Sequence, residues 1–117
     1  MSRLREKGIS VSGVTKAFLG MPEIARVWSE AGVIGLGDSR LENFKRMRAA
    51  KITGSMALIR SPMLSQADEV ISLADISYNT EIQVIERLSE AAVRMKRIHG
   101  VVLMVELGDL REGVMLE

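Results

Sequence analysis

Val101-Val-Leu-Met-Val105, followed by Glu-Leu-Gly-Asp-Leu-Arg-Glu-Gly113 and a short tail to Glu117, is the stretch on which the fold turns. The apolar run has the length and β-branched content of a strand buried in a parallel sheet. A strand of that kind needs a helix to cover it, yet only twelve residues follow Val105. They include Gly108 and Gly113 and carry no helical stripe. A complete five-stranded doubly wound domain would not leave its last strand bare. The ending therefore favours the front part of an eight-stranded (β/α)8 TIM-type barrel, whose usual length is about 250 residues.

Working back from that strand, helical and strand-like runs alternate. Asn79 or Thr80 is placed to cap the longest helix, with Ile82, Ile85, Leu88, Ala92 and Met95 on one face and Gly100 as its stop. Asp75-Ile-Ser-Tyr78 reads as a very short strand before it. Ser65 is placed to start a helix whose inner face carries Ala67, Val70, Ile71 and Ala74, and Met56-Ala-Leu-Ile59 is the strand that precedes it. Ser39-Arg-Leu-Glu42 has capping-box spacing and predicts a helix with Leu41, Phe44 and Met47 inward. Val33 to Gly37 is a further apolar run. Pro22 opens a helix with Ile24, Val27, Trp28 and Ala31 at helical spacing, ended by Gly32. Ile9-Ser-Val-Ser-Gly-Val14 is the first strand, after the tail of a helix over 2–7. The order βαβαβαβαβ requires parallel strands with crossover helices.

Composition narrows the function classes. A chain of 117 residues holds one domain at most, and 47% apolar with 26% charged residues is the balance of an ordinary globular protein. The formal charge is +1 with both signs interspersed, and four aromatic residues leave little to stack on bases, so a nucleic-acid partner is not expected. Without cysteine there is no disulfide, thiolate nucleophile or cysteine-bound zinc, and one histidine, His99, excludes multi-histidine metal sites. The charged N-terminus lacks the apolar core of a signal peptide, and no stretch reaches bilayer-spanning length. The expectation is a cytoplasmic protein with no membrane partner.

Ligands of parallel α/β folds sit at the carboxyl ends of the strands. There the sequence places Thr15-Lys16, Asp38-Ser39-Arg40, Arg60-Ser61, Asn79-Thr80 and Glu106 to Arg111. Lys16 has a short reach into the mouth. Partial desolvation would lower its pKa from about 10.4 and free the amine to attack an aldehyde. Position alone suits a solvated lysine equally well. Arg111, flanked by Gly108 and Gly113, could aim its fork of donors at a phenolate or carboxylate, or could sit in a plain surface turn. Asp38, Ser39 and Asn79 have an innocent explanation as helix-start residues, and His99 as a cation at a helix C-terminus. The methionines read as core filler. No glycine-rich phosphate loop is present, and Asp38 alone is a poor acidic cluster for a receiver-type domain.

Taken together, Gly8-Ile-Ser-Val-Ser-Gly-Val-Thr-Lys16, Pro22-Glu-Ile-Ala25, Asp38-Ser-Arg-Leu-Glu-Asn43, Ala74-Asp-Ile-Ser-Tyr-Asn79 and Val105-Glu-Leu-Gly-Asp-Leu-Arg-Glu-Gly113 resemble the alanine racemase N-terminal-domain family of fold-type III pyridoxal-phosphate enzymes. The resemblance is to the ornithine racemase or alanine/ornithine racemase-like branch, in order and over nearly the whole chain. It implies a pyridoxal 5'-phosphate barrel in which Lys16 holds the cofactor as a Schiff base and Arg111 faces the cofactor's ring oxygen. The implied reaction is interconversion of L- and D-amino acids such as ornithine or alanine, with a small amino acid as substrate and Lys16 as the base on one face. The family's phosphate-cradling loops, its pyridine-facing arginine and any second domain lie beyond this sequence. Residues 1–117 are thus expected to be an incomplete barrel domain that alone binds cofactor weakly and turns over little. Self-association is expected from the open edges of the first and fifth strands. Two rival readings are a barrel that carries pyridoxal phosphate without turnover, and a small doubly wound binding or signalling module.

Overall fold

A computed structural model of the chain describes residues 2–115. Five strands, β1 Ser12–Val14, β2 Gly35–Asp38, β3 Ser55–Leu58, β4 Ile76–Asn79 and β5 Gly100–Leu103, form one sheet in sequential order with every pair parallel. Helices α2 Pro22–Glu30, α3 Leu41–Ala49, α4 Ala67–Leu73 and α5 Ile82–Arg94 fill the crossovers, and α1 Ser2–Arg5 precedes β1. A flavodoxin-type domain would put its first strand inside the sheet. Here β1 is an edge, so the doubly wound alternative fails and the barrel pattern stands.

Successive helices pack on one another, α2 on α3, α3 on α4 and α4 on α5. Beneath them lies one core in which Phe44 and Met47 of α3 join Leu36, Met56 and Leu58 of the sheet and Val70, Ile71, Leu88 and Ala91 of the later helices. Strand alternation sends the remaining positions to the opposite face. Val14, Gly37, Ala57, Ile76 and Gly100 align there as one row across all five strands. With Ile59, Tyr78 and Val102 this face lines a cavity of about 240 Å³, and none of the lining residues belongs to a helix.

Several element details differ from the sequence expectations. The first strand starts at Ser12, leaving Ile9 exposed. The run Val101–Val105, whose composition is that of a buried strand, is a strand only over β5 Gly100–Leu103 and lies at the open edge expected for the fifth strand, with Val101 and Leu103 41% and 48% exposed. A β-branched run reports strand conformation, and position in the sheet comes from the rest of the chain. In α5 the buried residues are Val84, Leu88, Ala91 and Ala92, whereas Ile82 is exposed; the helix is rotated from the expected stripe. In α2 the buried residue is Ala25 and Val27 is exposed.

Gly13 is the one strand residue that must lack a side chain against α2. A Cβ there would collide with the ring of Trp28, which itself meets Phe18 edge-to-face at 5.0 Å. Gly13→Ala is expected to destabilise the protein by about 1–3 kcal/mol through overpacking. Urea denaturation followed by the fluorescence of Trp28, the sole tryptophan, checks this; an unchanged midpoint would show that the indole repacks freely.

Candidate functional site

Lys16 opens a short 3₁₀ turn, Lys16–Phe18, directly after β1, and its side chain is exposed. Burial therefore does not supply the desolvation expected for it. The residue before it is held far more tightly. Thr15 is fully buried, its N–H donates to the Gly37 carbonyl at 2.8 Å, and its hydroxyl donates to Asp38 Oδ2 at 2.6 Å. Its own carbonyl accepts from the N–H groups of Phe18 and Gly20, which closes the turn.

Asp38, also fully buried, collects two more donors on Oδ1, the Arg40 N–H at 3.0 Å and Asn43 Nδ2 at 2.9 Å. This corrects the reading of Ser39 as a capping residue. α3 starts at Leu41 with Arg40 as its cap residue and no side-chain cap hydrogen bond, and the Asp38 carboxyl at the strand end accepts the Arg40 N–H. Asn79 is likewise no helix cap. It is buried at the end of β4, its amide donates to the backbone and side-chain oxygens of Ser77, and its Oδ1 has no protein partner. α5 begins further on, at Ile82.

The carboxyl ends of β2 and β3 border a cleft of about 500 Å³ lined by Ser39, Arg40, Arg60, Ser61 and Gln66. Gln66 rather than Ser65 organises the next turn, its Oε1 accepting the Met63 N–H at 3.1 Å. Past β5, the chain returns on itself through Glu106 N–H to the Val114 carbonyl and Val114 N–H to the Met104 carbonyl, both at 2.9 Å. Inside that loop the Glu106 carboxyl accepts the Leu110 N–H at 3.0 Å and also the Gly108 N–H. These amides hold its pKa below the ordinary carboxylate value. Arg111 projects from this loop, exposed. Lys16 and Arg111 share the carboxyl end of the sheet but belong to its opposite edges, and no hydrogen bond joins them among the described residues.

The carboxyl end of the sheet thus carries an exposed amine at one edge and an exposed guanidinium at the other, and the face away from the helices is apolar. On that face the glycines relieve crowding: a Cβ at Gly35 would lie 2.9 Å from the Ser55 carbonyl oxygen, and one at Gly37 would lie 3.2 Å from Ile59. A primary amine can condense with an aldehyde and a guanidinium can pair with an acidic oxygen, the two chemistries this end of the sheet offers.

The sequence profile described as alanine racemase, N-terminal domain, matches residues 1–117. The chain belongs to that family. Within it, a lysine racemase of Thermotoga maritima is 39% identical over 95% of this chain and 31% of its own length. An ornithine racemase of Acetoanaerobium sticklandii is 37% identical over 97% of this chain and 32% of its own. The chain thus spans about a third of the curated relatives it matches. Among solved structures, a D-threonine aldolase of Filomicrobium marinum superposes with a TM-score of 0.84 at 19% identity, covering 99% of this chain and 32% of that one. An alanine racemase of Clostridium difficile 630 gives 0.82 at 18%, covering 91% and 29%. PipY of Synechococcus elongatus PCC7942, solved with pyridoxal phosphate (PLP) bound, gives 0.76 at 20%, covering 90% and 50%. At these identities the structural likeness establishes the barrel fold. No helix among the described residues is long and apolar enough to cross a membrane.

In this alanine racemase-type sheet His99 has a role that sequence reasoning missed. It lies beyond α5, with Nε2 2.8 Å from the Ser77 hydroxyl and Nδ1 3.3 Å from the Ala74 carbonyl, so it ties β5 to β4 and does not cap a helix. Burial lowers its pKa, against the raising effect of the Ala74 carbonyl and Asp75. A histidine depressed in the folded state binds fewer protons there than in the unfolded chain. Its contribution is therefore complete above the unfolded value of about 6.5 and is lost as pH falls through the folded one. Urea midpoints taken on either side of that value are expected to be lower on the acid side, and His99→Asn is expected to flatten the difference.

Proposed function

We propose that residues 1–117 are the N-terminal, five-strand portion of a PLP-binding barrel in an amino-acid racemase that acts on ornithine, alanine or lysine. The observation that carries this reading is the identity to lysine and ornithine racemases along nearly the whole chain, combined with an amine at the carboxyl end of β1. Pyridoxal phosphate, when bound, supplies an electron sink for negative charge at the substrate α-carbon. Lys16 is the residue that would hold it covalently through Nζ. Once free, the same nitrogen would be the base on one face of the α-carbon, and inversion requires that a proton be returned on the opposite face. Arg111 would direct its donors at the ring oxygen, its loop held by Glu106. Val14, Gly37 and Ala57 would give the ring an apolar floor that excludes water.

The test is incubation of the purified chain with excess pyridoxal phosphate, borohydride reduction and peptide mapping. The expected product is an adduct concentrated on Lys16. An even spread over Lys16 and the four other lysines would defeat the proposal. The exposure of Lys16 gives weight to a second reading, cofactor carriage without turnover. Deuterium uptake at Cα of L-ornithine, L-alanine or L-lysine in heavy water, beyond that given by free pyridoxal phosphate, supports racemisation over carriage.

A further inference from the structure

The turn that carries Lys16 is fixed at both ends to one buried carboxyl group. At its start, the Thr15 hydroxyl meets Asp38 Oδ2 at 2.6 Å. That hydroxyl has a single hydrogen, and the Gly37 carbonyl at 3.2 Å is the more distant of its two acceptors, so the carboxyl takes it. At its end, Gly20 is pressed against α3 so closely that a Cβ there would lie 2.6 Å from Cβ of Asn43. Asn43 in turn donates to the other oxygen of Asp38. One helical turn on, Arg46 reaches the Leu19 carbonyl at 2.8 Å. Leu19 and Gly20 both have positive φ, 57° and 63°, a conformation a leucine adopts only where its surroundings dictate it. Burying a carboxyl with three donors is a costly way to join a strand to a helix, because an apolar pair of the same volume would serve stability as well. What it provides is direction.

We infer that Thr15, Asp38 and Asn43 are positioning residues that orient Lys16 toward its aldehyde partner by clamping residues 15–20 between β2 and α3. The inference rests on the reading of Lys16 as the cofactor amine. None of the three touches the reacting atoms; they act through the backbone on either side of Lys16. Thr15→Val keeps the side-chain shape and removes the donor, Thr15→Ser keeps the donor, and Asp38→Asn weakens the acceptor at Oδ2.

Two measurements on the whole chain test it, with pyridoxal phosphate as the probe. The first is the rate of borohydride-trapped adduct formation at Lys16, with Lys45 and Lys51 in the same digest as internal references. Thr15→Val and Asp38→Asn are expected to slow Lys16 by about tenfold and leave the references unchanged, since small misplacements of a nucleophile carry large rate penalties. Thr15→Ser is expected to stay near the wild-type rate. A general loss of structure would move all lysines together and would not be rescued by serine. The second is amide hydrogen exchange at Phe18 and Gly20 without cofactor, expected to accelerate in Thr15→Val. Should Asp38→Asn fail to fold, Thr15→Val carries the test. Folded variants that label Lys16 at the wild-type rate overturn the inference, as does unchanged exchange. If the wild-type chain takes no adduct at Lys16, the cofactor reading fails by itself, and the exchange rates still decide whether the clamp exists.

Discussion

Lys16→Ala is expected to abolish the specific borohydride-stable adduct with pyridoxal phosphate. The reason is topological. Lys7, Lys51 and Lys96 follow helices α1, α3 and α5, so they emerge at the amino ends of the strands, away from the mouth. Lys45 lies within α3 and is paired with Glu69, which raises its pKa and keeps the amine protonated. Lys16 alone follows a strand directly. Adducts on the other lysines form only as slow background, so the expected change is from one dominant labelled peptide to none. Lys16→Arg preserves the charge, but its guanidinium stays protonated and is no nucleophile toward an aldehyde. It should be as empty as the alanine variant. Equal total labelling of wild type and Lys16→Ala would remove this chain from the covalent cofactor chemistry altogether.

The largest stability effect is expected at Phe44. It is fully buried near the middle of α3, in the core that α3 shares with β2 and β3. Truncation to alanine removes the ring's transfer free energy and leaves a cavity that flanking Met47, Leu36 and Met56 fill only in part. The cost is about 3–5 kcal/mol. Typical domains are stable by only about 5–15 kcal/mol, so the variant should be close to unfolding under mild conditions. Urea denaturation monitored at Trp28 gives the number. A loss under about 1 kcal/mol would mean that α3 is not seated on the sheet as described.

Much of the architecture was legible because strand and helix periodicities are local. Pro22 and Gly32 mark element boundaries, and the position of Lys16 just past a strand follows from Ile9–Val14 alone. Gly100, expected to stop the long helix, instead opens β5 after α5 has already ended at Arg94. What escaped the sequence were choices between competing partners. Ser39 and Glu42 have the spacing of a capping box, but the helix starts at Leu41 with Arg40 as its cap residue and no side-chain cap, while Asp38 holds the Arg40 amide. Asn79 looks like a cap until the sheet register turns it inward onto Ser77. His99 looks like a helix-end cation because nothing in the local sequence reveals Ser77 beside it. The apolar Val101–Val105 run reads as interior, yet whether a strand is covered depends on distant residues. Arg111 was found from its glycine flanks, whereas the loop's organiser, Glu106, gave no local signal.

The sequential strand order also bears on how the polypeptide acquires its shape. Each strand after β1 pairs with the one before it, across separations of roughly twenty residues such as Leu36 to Met56, so no pairing among the five described strands waits for a distant segment. A nascent chain leaving the ribosome would meet each partner already laid down, and the sheet could grow stepwise during synthesis. Ribosome-stalled chains ending after β3 and after β4 should accordingly show progressively greater resistance to protease.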